Sequence, residues 1–142
     1  MANLRKIRIE LQSYLEELFS KCTFDYVIED NGVEANASID INGVANDVYV
    51  SYSLDEEGFA FLSYIFDKVQ DNDTVYMLVN ELNNSSTFVR FYINSNNSLC
   101  ANYALTETTI EAFLASINLT SSIILDLADN FAFKQLKRYF LD

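Results

Sequence analysis

A chain of 142 residues with 50% hydrophobic content carries enough apolar surface for one core and too little for two ordinary ones, so a single domain over residues 1–142 is expected. Its net charge of −12 creates an anionic field that repels phosphate backbones and anionic headgroups, which argues against nucleic-acid or membrane partners and for basic or amphipathic protein partners. The absence of histidine removes imidazole bases, Ser-His-Asp and Cys-His arrangements and His-containing metal sites, and with them most familiar hydrolases.

From Leu4 to Phe19 the apolar residues Leu4, Ile7, Leu11, Tyr14, Leu15, Leu18 and Phe19 recur at helical spacing, which predicts a first helix with one buried side. The period then changes. Phe24 to Glu29 and Val33 to Ile41 alternate, with turn signals at Asp30-Asn31-Gly32 and Asn42-Gly43, and Val48, Val50 and Tyr52 alternate next. After the turn Asp55-Glu56-Glu57-Gly58, an aromatic and β-branched strand runs from Phe59 to Phe66. Together these predict an antiparallel meander.

Asp71-Asn72-Asp73 offers N-cap oxygens to a short second helix carrying Val75, Leu78, Val79 and Leu82. Thr87 to Ile93 and Leu99 to Leu105 read as strands joined by the polar loop Asn94 to Ser98. Thr106 is then expected to cap a third helix, with Glu107 in its first turn and Ile110, Phe113, Leu114 and Ile117 on its inner side. The apolar pattern continues to Phe140, with a break expected near Asn118 to Thr120. The expected class is α+β: helix, antiparallel β-meander, helix, β-hairpin and C-terminal helix.

Charge is unevenly placed. Between Cys22 and Phe133 only Lys68 and Arg90 oppose 17 carboxylates, a net of −15, whereas the other cations lie near the two ends. Folding those ends against the sheet as covering helices relieves the self-repulsion. Cys22 and Cys100 have no CxxC spacing, and the N-terminal segment has charges throughout rather than an apolar leader, so reduced thiols and a cytoplasmic location are expected. Cys100 reads as a small core residue.

No constellation carries recognisable chemistry, so no enzymatic activity and no cofactor are expected. The acidic clusters Asp55-Glu56-Glu57 and Asp71-Asn72-Asp73 lack the alternating ligands, central glycine and distant glutamate of an EF-hand, and read as solvated turns or caps rather than metal sites. Arg90, set in an apolar strand, either points outward as an ordinary surface pair or enters a groove, where it could clamp a carboxylate or the backbone of a bound peptide. Tyr49, Tyr64, Tyr76, Tyr92 and Tyr103 fit a recognition surface and half-buried core positions equally well. The run Gly58 to Phe66 is apolar on both sides and demands cover on both, by a second copy or a client. The aromatic and basic segment Phe131 to Phe140 suggests a dimer seam. The candidate partner-contact residues are therefore Arg90, Tyr92, Phe59, Phe61, Tyr64, Phe131, Phe133, Tyr139 and Phe140.

The sequence Met77 to Asn83, then Phe88 to Ile93, a polar turn and a strand ending at Leu105, resembles the pattern of the YbjN-like family, which shares its fold with the type III secretion chaperones. Val48 to Phe66 is similar to the central hairpin of that family. The resemblance implies a small acidic homodimer that binds other proteins without catalysis or cofactor, as a chaperone or regulatory adaptor. The aromatic load, 14%, departs from the pattern. The alternative expectation is an acidic inhibitor, a toxin immunity protein or a phage-encoded decoy that blocks a basic groove, motivated by the −15 middle stretch.

Overall fold

In the computed structural model, which describes residues 3–86 and 88–141, the chain is α+β, with its helices gathered on one side of a six-stranded antiparallel sheet. Helix α1 (Leu4–Leu18) starts where the Asn3 side chain accepts from the Arg5 and Lys6 backbone N–H groups and buries Ile7, Leu11 and Leu15. Four strands follow as a meander: β1 (Asp25–Ile28), β2 (Gly32–Ile41), β3 (Ala45–Asp55) and β4 (Ala60–Lys68). Strict alternation aims Val33, Ala35, Ala37 and Ile39, then Val48, Val50, Tyr52 and Leu54, then Ala60, Leu62, Tyr64 and Phe66 at the helices.

Helix α2 (Asp73–Ser85), capped by Asn72, carries the chain across the sheet to β5 (Arg90–Ile93), which forms a hairpin with β6 (Ser98–Leu105). The strand order β1-β2-β3-β4-β6-β5 puts β6 beside β4 and leaves β5 at the edge. The Thr87 start expected for this strand lies outside the described residues.

The C-terminal region differs from expectation at two points. Helix α3 spans Ile110–Asp126 and its N-cap is Thr109, whose hydroxyl accepts from the Ala112 N–H. Glu107, expected in its first turn, instead has φ 52°, a left-handed conformation incompatible with a helical turn. The break expected near Asn118 to Thr120 is also absent. Thr120 and Ser121 donate to the Ile117 carbonyl at 3.2 and 2.6 Å, so residues that favour caps are satisfied inside the helix and turned into the core. The break falls later, at Asn130, which caps α4 (Phe131–Leu136) by accepting from the Phe133 N–H.

Candidate functional site

The side of the sheet away from the helices is covered by none of them among the described residues. Register aligns its side chains in rows across the strands. One row runs Asp25, Asn36, Ser51, Ser63, Asn102, Arg90 through all six strands. At about 4.8 Å per strand it spans roughly 24 Å, with an acid at one end, a base at the other and four neutral polar side chains between. The rows on either side are greasier: Ser38, Tyr49, Ile65, Cys100 and Tyr92 on one flank, and Val27, Glu34, Ser53, Phe61 and Ala104 on the other.

Tyr49 and Val27 are each 43% exposed and Phe59, at the start of the same face, is 46% exposed. Phe61, Ile65 and Tyr92 are half-buried, and Cys100 is closed off between its neighbours. Burial raises the Cys100 thiol and the Tyr92 phenol above their ordinary ranges, so both stay protonated near neutral pH. Glu34 is held by the Ser51 hydroxyl at 2.9 Å. Asn36 Oδ1 is shielded from solvent and has no protein hydrogen-bond partner among the described residues. Among the described residues Asp25, Glu34 and Asp55 stand on this side, with the cations Arg90 and, opposite Ser98, Lys68. The surface is therefore an aromatic band with an acidic margin, suited to a polypeptide that brings apolar side chains and cations.

The nine residues singled out from sequence divide accordingly. Phe59, Phe61, Arg90 and Tyr92 share this face, and Arg90 points outward, exposed. Tyr64 does not join them: it is 1% exposed on the helix side, with its hydroxyl 2.8 Å from Thr120 Oγ1. Phe133 is fully buried between Phe66 and Phe140, at centroid distances of 5.9 Å to each. Burial takes both residues out of any surface. Tyr139 and Phe140 are half-buried and fasten the tail to its own sheet: Val69 bridges Phe140, and the Leu141 N–H donates to the Lys68 carbonyl at 2.7 Å. The expected seam is thus internal packing. Phe131 alone projects, 74% exposed, on the helix side. Tyr103 stacks on Phe88 at 4.1 Å and Tyr76 lies on α2.

Two of the clefts on the helix side bear on function. One, of about 620 Å³, is walled by Glu10, Asp55, Glu56, Glu57 and Glu107 with Lys6 at its rim. Among the described residues no group of three or more cysteines and carboxylates is placed to hold a metal ion. The other, of about 300 Å³, opens between the end of α1, the end of β2 and α3, and is lined by Leu18, Phe19, Ile39, Ile124 and Leu125 over Tyr64 and Ser121. Cys22 stands at its wall, where burial and then Asp40 push its thiol up and keep it protonated.

Neither models of known protein families nor curated protein sequences match this chain.

Proposed function

We propose that this chain is a non-enzymatic, protein-binding module of the secretion-chaperone type, cytoplasmic and homodimeric, which holds a basic amphipathic segment of another protein against its open sheet face. The observation that carries the reading is the helix-free face on which Tyr49, Phe59, Phe61, Ile65 and Tyr92 meet solvent inside an acidic margin. The element order, helix, meander, helix, hairpin and helices, supports the likeness to the YbjN-like proteins, but a fold supplies no function by itself. The acidic inhibitor remains the second reading, favoured by the five carboxylates around the larger cleft.

Photo-crosslinking from position 92 in the native host identifies the partner, and titration of that partner separates the readings. A sheet-face grip predicts that Phe61→Ser weakens binding by about tenfold or more and that salt has a small effect. A decoy for a basic groove predicts a steep loss of affinity with salt and indifference to Phe61→Ser. Crosslinking no more at position 92 than at position 81, on the solvent side of α2, overturns the sheet-face reading.

A further inference from the structure

Helix α3 breaks the charge pattern of the rest of the molecule. Between Glu111 and Asp126 it contains no charged residue. The stretch Ile110–Asp129, α3 with the turn that follows it, has an 18-residue window of mean hydropathy 1.4, of which only 39% is buried. Phe113, Ile117, Thr120, Ser121 and Ile124 face inward. The outward side presents Ala112, Ala115, Asn118, Leu119, Ser122 and Leu125, with Leu119 44% and Leu125 58% exposed. A solvated helix of an acidic chain ordinarily carries charges there, as Glu16 and Glu17 on α1 and Asp73 and Glu81 on α2 do.

We infer that the outer side of α3 is the contact between two copies of this chain. The inference rests on the homodimer reading above and adds where the copies meet. Charge selects the occupant. Two copies at net −12 repel wherever their carboxylates approach, which disfavours self-contact through the acid-margined sheet face. The uncharged side of α3 carries no such cost. A two-fold contact uses the same patch twice, so the patch must complement itself. Here Ala112, Ala115 and Ser122 permit close approach of two helices, and Leu119 and Leu125 project as knobs. The cleft of about 300 Å³ beside Leu125, lined by Leu18, Phe19 and Ile39 together with Asp40, offers the Leu125 knob a largely apolar seat in the facing copy and leaves Leu119 to meet its own counterpart across the two-fold axis. A bilayer is the poorer occupant, because its anionic headgroups meet the same field and because Thr120 and Ser121 tie the inner side of α3 to the sheet.

Sedimentation equilibrium on the full chain and on Leu119→Glu and Leu125→Glu tests this. The wild type is expected to be a dimer, and each glutamate to raise its dissociation constant about 100-fold with an unchanged far-UV spectrum. Leu119→Cys in a Cys22→Ser background is expected to form an intermolecular disulfide under mild oxidant, a readout that stands even if a charged variant fails to fold. A wild type that stays monomeric sinks both the homodimer reading and this contact. A dimer indifferent to both glutamates and refractory to the disulfide sinks this contact alone. Flotation of the wild type with phosphatidylcholine vesicles, lost in Leu119→Glu, replaces the second copy with a membrane and overturns the inference.

Discussion

The Tyr52 and Tyr64 hydroxyls stand 2.6 Å apart inside the core, on neighbouring strands β3 and β4, with the rings edge to face at a centroid distance of 5.8 Å. Thr120 spends its one proton on the Ile117 carbonyl, so Tyr64 donates to Thr120 and Tyr52 donates to Tyr64. The chain of hydroxyls ends on a backbone carbonyl with each proton used. Tyr64→Phe removes the middle member, leaving Tyr52 with no acceptor nearer than Ser121 at 3.5 Å. We expect a loss of about 1–3 kcal/mol in urea denaturation, and a loss no larger than that of an exposed control such as Tyr76→Phe would show the network to be energetically idle.

Alkali should attack the same pair. Burial above all, aided for Tyr52 by the neighbouring Tyr64, holds the Tyr52 phenol well above 10.0, and burial raises Tyr64 too. A phenol whose folded value exceeds its unfolded value stabilises the fold fully below pH about 10 and loses that contribution as pH climbs toward the folded value. Phenolate absorbance should therefore rise in two stages, the later one coinciding with loss of the far-UV signal. A single stage completed on an intact fold contradicts the burial of this pair.

Thr109, not Thr106, starts α3, and the two can be told apart by stability. Thr109→Ala removes the acceptor of the Ala112 N–H and should cost about 0.5–2 kcal/mol. Thr106→Ala, at an exposed position before the left-handed Glu107, should change stability by less than about 0.5 kcal/mol. Equal effects in thermal melts would place the helix start where sequence pattern alone puts it. Both threonines precede an acidic residue and an apolar stripe, so local chemistry does not choose between them; the reach of Gly58 toward Thr108 does.

Gly58 sits at φ +87°, and a β-carbon there would stand 2.9 Å from the Thr108 carbonyl oxygen. The Thr108 N–H also donates to the Gly58 carbonyl at 2.9 Å, so the β3–β4 turn and the β6–α3 connection are backbone-tied. Gly58→Ala imposes both a left-handed strain and a clash with main chain, and we expect a loss of about 2 kcal/mol or more. Because Gly58, Thr108 and Glu107 line the acidic cleft, the same change should increase hydrogen exchange at the Thr108 amide. Unaltered exchange would show the tie to be dispensable.

The alternation of Val48, Val50 and Tyr52 and the spacing of Ile7, Leu11 and Leu15 made most elements readable from the chain. The face of each strand was readable too, wherever parity was applied: Phe61 and Tyr64 are three apart and so point to opposite sides of β4. What parity could not supply is register. Asp25, Asn36, Ser51, Ser63, Asn102 and Arg90 are scattered through the sequence, and only the pairing of six strands places them in one row. The tail misled for a related reason, since an aromatic stripe suits an inner packing surface as well as an outer one, and Phe133 finds its partners in Phe66 and Phe140.

Asn83 governs how the sheet ends. From the last turns of α2 its amide accepts from the Phe91 N–H at 2.7 Å and donates to the Phe91 carbonyl at 2.9 Å, supplying both bonds that a further strand would make to that residue of β5. An edge so occupied cannot template another chain. Asn83→Ala should cost about 1–3 kcal/mol through the two lost bonds, and it should also leave Phe91 free to pair. Beyond the shift in melting temperature, the variant should therefore form higher oligomers that depend on concentration and are relieved by Phe91→Pro, which cannot donate to a ladder. Asn83→Asp keeps the acceptor and loses the donor, so it should fall between wild type and Asn83→Ala in both respects. A variant that is destabilised yet shows no new association would mean that β5 is protected by its shortness rather than by the amide.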